Sequence, residues 1–345
     1  MALTPFKKLV GQSASLVGFN RFCQQGKNII LMYHRVIPRD LIAPNQFQKA
    51  LIASAEGFRE NLLFIKANYS VISLTEYLTI SQEASHNKNE RYAIITLDDG
   101  WWDNYEYAYP LLKELELPAT IFLATSFIGS NKGFWWQTVG DILSAPDINQ
   151  QAPIINCLNT YSLVDSDIQN LPTFDSLFID QVITKLKSKP QDDIEHIVME
   201  LLKLSTQQDR PHAMNWAQVE EMSRHGIEFG PHTANHAILT ALPIDDAKKE
   251  IIDSQAALQA HKNVRYCNVF SFPNGNSNNE TREFVKLQGF EAAVSVDFGL
   301  THFNDQRRYQ LPRINIPFDV AESESLFQYR LFKAGIHDMK RPPHA

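Results

Sequence analysis

The chain has 345 residues, 44% of them hydrophobic and 21% charged, ordinary values for a globular protein that buries a substantial core in one large domain or two small ones. A formal net charge of −7 leaves no basic footprint for a nucleic-acid partner. Cys23, Cys157 and Cys267 are odd in number and far apart, which suits a reducing compartment better than a disulfide framework and offers no pair at zinc-ligand spacing.

Residues 1–27 carry Lys7 and Lys8 and then a mostly apolar stretch to Phe19, interrupted by Gln12, Ser13 and Ser15. A signal peptide needs a continuous apolar run and a small-residue cleavage site. The segment therefore reads as a short amphipathic helix, either a bland cap or a lid, a partner contact or a weak peripheral membrane contact. No stretch has the roughly 20 apolar residues of a membrane span, and the expectation is a cytoplasmic protein.

From Asn28 onward, short apolar runs alternate with amphipathic stretches. Asn28 to Tyr33 is a predicted buried strand and Phe47 to Asn68 a predicted helix. Tyr92 to Thr96 is a second strand, Tyr105 to Leu115 a helix and Ala119 to Ala124 a third strand. The alternation breaks over residues 129–211, where Trp135, Trp136 and a helical stretch near Val139 to Leu143 sit among polar segments. It resumes with a helix over Trp216 to His225, a strand over Ile227 to Gly230 and a long helix over Ile244 to His261. Strands over Asn268 to Phe272, Ala292 to Val296 and Ile314 to Ile316 follow, with a helix over Thr281 to Gln288 between the first two. Repeated strand–helix units over about 260 residues predict parallel strands wrapped by helices, as a barrel or a doubly wound sheet. Residues 129–211 are read as a helical or irregular insertion at a strand end, where insertions commonly shape a substrate site. Residues 318–345 form a C-terminal tail or helix.

Two features could carry chemistry. Asp98 and Asp99 are adjacent at the end of a buried strand, within Thr96-Leu97-Asp98-Asp99-Gly100. Burying two unpaired carboxylates is costly, so either a metal and a proton transfer use them or they cap the following helix in a turn. His232 and His236 follow the strand ending at Gly230, and on one helical turn an i, i+4 pair could share a metal. Both features then lie at the C-terminal end of a parallel sheet, where such folds place their sites. A carboxylate and two imidazoles leave open positions for water on a divalent ion, and the second aspartate could act as a base.

At these residues the chain resembles the polysaccharide deacetylase family, the NodB-homology carbohydrate esterases. The family's Thr-Phe-Asp-Asp-Gly and His-[Ser/Thr]-x-x-His motifs correspond to Thr96 to Gly100 and His232 to His236. Met32-Tyr33-His34-Arg35-Val36 resembles the opening strand of its Tyr-His-x-Val branch. The resemblance covers about residues 28–128 and 213–317 and implies one α/β domain over 28–317, a distorted (β/α) barrel of about seven strands. It also implies metal-dependent removal of an N-acyl group, most simply acetyl, from an amino sugar. Such a substrate could be nucleotide- or lipid-linked, in the synthesis of a surface polysaccharide. By the same resemblance Asp98 is the general base, and Asp99, His232 and His236 hold a divalent metal such as Zn2+. Pro273-Asn274-Gly275 matches a loop whose backbone N–H receives the oxyanion, although an Asn-Gly pair is also an ordinary turn signal.

The chain departs from the family pattern at two positions. The usual Leu-x-His near the last strand is replaced by Leu311-Pro312-Arg313. The resemblance to the Tyr-His-x-Val branch, whose first-strand histidine takes that role, nominates His34 as the general acid, against a core or metal-proximal histidine. Ser271 stands where an arginine usually orients the base, and Arg313 is expected to reach Asp98 from another direction unless it is a surface or interface residue. Trp101 and Trp102 are expected to offer sugar-stacking faces, as are Trp135, Trp136 and Tyr105, unless they are core. Two other functions stay open: hydrolysis of a small non-sugar amide, and glycan binding by a site that has lost catalysis.

Overall fold

The computed structural model describes residues 27–44, 46–82, 90–144, 146–164, 174–303 and 307–339, with isolated positions 5, 7, 8 and 10 near the start. The amphipathic segment expected over residues 1–27 lies almost wholly outside the described residues.

Ten strands occur among the described residues, and seven of them build the barrel. They are β1 (Ile29–Tyr33), β2 (Arg35–Ile37), β3 (Ile52–Ser54), β4 (Ser70–Val71), β5 (Tyr92–Asp99), β6 (Ala119–Leu123), β7 (Ile227–Pro231), β8 (Val269–Ser271), β9 (Ala292–Phe298) and β10 (Leu311–Asn315). The large sheet is parallel, in the order β7-β6-β5-β1-β10-β9-β8, with β4 beside the start of β5. Its two edges almost meet. Phe229 in β7 donates to the Arg265 carbonyl at 2.9 Å and accepts from Cys267 N–H at 2.8 Å, just before β8. The result is a nearly closed barrel of seven parallel strands, the architecture expected from the alternating pattern.

The strand residues explain why it forms. β1, β5 and β6 are buried along their whole length, as strands covered on both faces must be, and they read as near-continuous apolar runs. Burial of their side chains against the surrounding helices gives roughly 1.5–3 kcal/mol for each large aliphatic or aromatic group. Helices Ala55–Asn68, Trp216–Arg224, Ile244–Ala260 and Asn279–Leu287 lie outside the strands. Ser54 caps the first of these, its Oγ accepting from Gly57 N–H at 2.9 Å. The helix predicted over Phe47 to Asn68 is thus corrected in its first third. Residues 49–51 form a short turn and β3 pairs with β2, because Phe47 leaves helical register to pack its ring over Gly140. The helix Leu74–Gln82 is an addition to the sequence reading.

Residues 129–211 emerge from the barrel and return to it at one place, where Gly129 N–H donates to the Met214 carbonyl at 2.9 Å. Among its described residues the excursion holds four helices: Trp135–Ser144, Ile148–Thr160, Ser176–Leu186 and Gln191–Lys203. Their apolar faces join the same continuous core as the barrel through Phe134, Trp136, Val139 and Leu143. Further ties are polar: Asp180 accepts from Gln48 N–H at 3.1 Å, and Gln137 accepts from Arg35 at 3.1 Å. Among the described residues no helix is long and apolar enough to cross a membrane.

Gly230 sits at the almost-closed seam, where an added Cβ would stand 2.7 Å from the Val269 carbonyl oxygen. That neighbour is backbone and cannot rotate away, so Gly230→Ala should cost about 1–3 kcal/mol of stability, read as a lower urea midpoint at unchanged slope. A midpoint within error of the parent would mean that the seam is looser than this packing.

Candidate active site

The C-terminal ends of the strands bring the chemistry together. Asp98 and Asp99 close β5, in register with Phe122 and Leu123 of β6, and Leu123 pairs with Pro231 of β7. His232 follows directly, its N–H donating to the Leu123 carbonyl at 2.9 Å. His34 follows β1, Arg313 lies in β10 and Pro273 to Gly275 follow β8.

The two imidazoles do not share a helix, as their spacing had suggested. Residues 232–238 form a loop in which Thr233 and His236 adopt φ of 62° and 56°. Left-handed backbone is costly for a β-branched residue and persists only when its surroundings enforce it. Here Thr233 and Ala234 accept through their carbonyls from Thr125 and Ser126, and the Asn235 side chain and N–H both donate to Glu250. The loop turns His236 back toward His232, and both Nε2 atoms approach Asp99 Oδ1, at 3.3 Å and 3.5 Å respectively. His232 Nδ1 lies 2.8 Å from the Ser271 carbonyl. A carbonyl only accepts, so Nδ1 carries the proton and Nε2 presents its lone pair inward.

Asp99 is itself held in left-handed backbone, φ 77°, ahead of Gly100 at φ 82°. Its Oδ2 accepts from Trp101 Nε1 at 2.8 Å, while its buried Oδ1 has no hydrogen-bond partner. An orphaned buried carboxylate oxygen facing two imidazole lone pairs is a donor set for a divalent cation, and the three ligand atoms lie within 4.8 Å of one another. Burial raises the Asp99 pKa, but His236, His34 and His232 outweigh it and hold the carboxyl well below its usual range.

Asp98 meets a different partner. Arg313 grips it with two hydrogen bonds of 2.7 Å, one to each oxygen. The guanidinium is fully buried and donates also to the Ser295 carbonyl, Thr96 Oγ1 and Ser271 Oγ. Burial raises the Asp98 pKa, but Arg313 above all, then His232 and His34, keeps it below the ordinary carboxylate value. His34 Nε2 stands 4.0 Å from Asp98 Oδ2, and burial lowers the histidine's pKa despite Asp98 and Asp99.

Asn274 takes φ 54° in the loop after β8, and Gly275 follows at φ 71°, where a Cβ would stand 2.7 Å from Val296 N. Pro273 is buried beneath them. A pocket of about 70 Å³ is lined by His34, Asp98, Asp99, His232, His236 and Asn274, and the insertion adds Trp136 and Lys187. Trp101 and Trp102 do not line it, contrary to the sugar contact expected of them. Trp101 is core, donating to Asp99 and covered by Arg35 at 4.2 Å, and Trp102 is exposed beside Tyr107. Trp136 is the aromatic at the site, its ring 4.5 Å from that of His236. Lys187 and Gln48 are site-lining residues that the sequence did not flag, since nothing local marks them.

The polysaccharide deacetylase family profile matches residues 85–151 and 195–293, a span that includes both motifs and passes over the middle of the insertion. The chain belongs to the polysaccharide deacetylase family. Among relatives, the Bacillus subtilis (strain 168) protein YxkH, itself assigned as a polysaccharide deacetylase, is 22% identical over 289 residues, 83% of this chain and 70% of that protein. The poly-β-1,6-N-acetyl-D-glucosamine N-deacetylase of Staphylococcus epidermidis is 30% identical over 117 residues, 31% of this chain and 39% of that protein. In fold, the chain is similar to the Streptococcus pyogenes deacetylase PplD in complex with acetate, with a TM-score of 0.56 at 18% identity, covering 88% of this chain and 98% of that one.

Burial lowers the His232 pKa from 6.5 to about 4, with Asp98 and Asp99 opposing the shift. The unfolded chain therefore takes up a proton in this interval that the native site refuses. The histidine's contribution to stability is complete above pH 6.5 and is lost as pH falls toward 4. In chelator, the unfolding free energy of the parent should fall over that interval and that of His232→Gln should fall less steeply. Parallel slopes would contradict the buried neutral imidazole.

Proposed function

We propose that this protein is a divalent-metal-dependent N-deacetylase acting on an amino sugar of a glycan or glycan precursor, in the making of a surface polysaccharide. One observation carries the reading: Asp99, His232 and His236 converge on a common point, while Asp98, clamped by Arg313, stands beside them with both oxygens ordered. Family membership and the named substrate of the Staphylococcus epidermidis relative support the amino sugar.

The residues divide the work by their surroundings. Asp99, His232 and His236 would hold the cation; one carboxylate and two imidazoles suit zinc, and the bound ion would polarise the acyl carbonyl and acidify a water. Asp98 is kept ionised by Arg313 and so accepts the proton of the attacking water, whose oxygen bonds to the acyl carbon. Gly275 and Asn276 spend their N–H groups on the Phe272 and Pro273 carbonyls, which leaves the Asn274 N–H as the loop's candidate donor to the oxyanion. As the C–N bond breaks, the amine needs a proton. His34, half-buried and with its pKa lowered, supplies it after taking the proton from Asp98 once the two close from 4.0 Å to hydrogen-bond reach around the bound substrate. Arg313 is a positioning residue: it aims and ionises Asp98 without touching substrate.

The reading is tested by acetate release from β-1,6-linked N-acetylglucosamine oligomers with added zinc. Asp98→Asn should lower turnover by about 10²- to 10⁴-fold while bound metal, counted by mass spectrometry, stays near the parent value. An inert parent across N-acetylated sugars, or an Asp98→Asn protein as fast as the parent, would remove the reaction from this site. Separately, Arg313→Ala leaves Asp98 buried without its cation and should cost about 3–5 kcal/mol in stability as well as most of the turnover. If Arg313→Ala protein is as stable and as active as the parent, the clamp has no role.

A further inference from the structure

The insertion delivers one cation to the site. Lys187 follows the helix Ser176–Leu186, is half-buried, and lines the cavity that holds Asp98, Asp99 and both histidines. Its Nζ donates to Asn274 Oδ1 at 3.3 Å, and among the described residues it forms no ion pair with a carboxylate. Burial lowers its pKa, and Asp99 and Asp180 oppose that shift from a distance. An ammonium drawn out of water toward a neutral amide oxygen is incompletely compensated. The other polar ties between insertion and barrel are complete without it: Asp180 already accepts from Gln48 N–H, and Gln137 from Arg35. Fastening the insertion therefore does not require this charge.

A second, narrow pocket, with room for about one water, adjoins the first and shares Lys187 and His236 with it. It runs between the segment Lys187 to Gln191 and the loop after β7, and Lys189 stands on its wall as well. The second pocket is too small for a sugar, so a sugar whose acyl group reaches Asp98 lies beside Lys187 at the first. The nearby carboxylates are already engaged, Asp98 by Arg313 and Asp99 by the imidazoles, so the uncommitted positive charge faces the substrate.

We propose that Lys187 is a specificity-determining residue that selects amino sugars carrying an anionic substituent, a phosphate or a carboxylate, close to the acylated nitrogen. The inference rests on the deacetylase reading for the placement of the sugar. A lysine suits the task because its compact ammonium acts as a point charge that follows an oxyanion without the planar geometry an arginine imposes.

The test measures binding by calorimetry to metal-stripped parent, Lys187→Met and Lys187→Arg proteins, whose folding is checked by thermal denaturation. The probes are N-acetylglucosamine, its 1-phosphate and its 3-O-carboxyalkyl ether, whose anionic groups both sit on carbons next to the one bearing the acylated nitrogen, so that phosphate and carboxylate are told apart. The parent should prefer one of the anionic probes over the neutral sugar by about tenfold, the worth of a charge-assisted hydrogen bond. Lys187→Met should erase that preference, weakening the charged probe by about tenfold more than the neutral sugar, and Lys187→Arg should retain most of it. No preference in the parent, or an equal loss for charged and neutral probes in Lys187→Met, overturns the proposal and leaves Lys187 a latch. Acetate release from neutral oligomers judges the reaction independently. Lys187-dependent anion binding without acetate would sustain the subsite and sink the deacetylase, and acetate without anion preference would do the reverse.

Discussion

Two carboxylates on consecutive buried residues are costly to ionise unless each is compensated by groups of its own, and that constraint organises the site. Successive residues of a strand point to opposite faces, so Asp98 can be directed into the barrel interior while Asp99 turns away. The left-handed backbone at Asp99 and Gly100 completes the divergence. Asp98 finds Arg313, whose guanidinium fills the barrel and touches β5, β8 and β9 through hydrogen bonds. Asp99 finds the two imidazoles and the Trp101 N–H. One pair of neighbours thereby occupies two different electrostatic settings: one carboxylate is fixed by a buried guanidinium, and the other keeps an oxygen without a hydrogen-bond partner.

That arrangement draws on elements far apart in the chain. Arg313 arrives from the last strand, and Ser271, small and fully buried, accepts from it where a larger side chain would intrude. The Ser271 carbonyl also fixes the tautomer of His232. A single short strand, β8, therefore touches both halves of the site, with a side chain on the base's partner and a backbone oxygen on a ligand.

Much of this was legible in the sequence. Continuous apolar runs ending in Asp98-Asp99-Gly100 and in Gly230 mark strands whose C-terminal ends must lie together in a parallel sheet, and β1, β5, β6 and β7 formed within a few residues of the predicted limits. Arg313 could be foreseen because the usual arginine position holds Ser271 and a buried aspartate must have a partner. The conformation around His232 and His236 could not, because i, i+4 spacing is equally that of a helix and of a loop pinned by Glu250, and the pinning comes from another element. Trp101 and Trp102 were read alike, yet one step along the chain separates a core donor from an exposed ring. The insertion was read as helical or irregular, with one helical stretch near Val139 to Leu143, and its other helices were not delimited for a related reason. They are short, Ile148–Thr160 contains Pro153, and they pack partly on one another instead of following the strand–helix rhythm.

Trp136 closes the account of the insertion. It is set in the apolar core against Phe134 and Trp101, and its ring also lies against His236. The insertion is thus in contact with the His236 imidazole of the proposed site, and with the indole that donates to Asp99. Substrate range and chemistry in this barrel share atoms. A lineage that exchanged its roof to suit a different glycan would have to rebuild one wall of its hydrolytic centre at the same time.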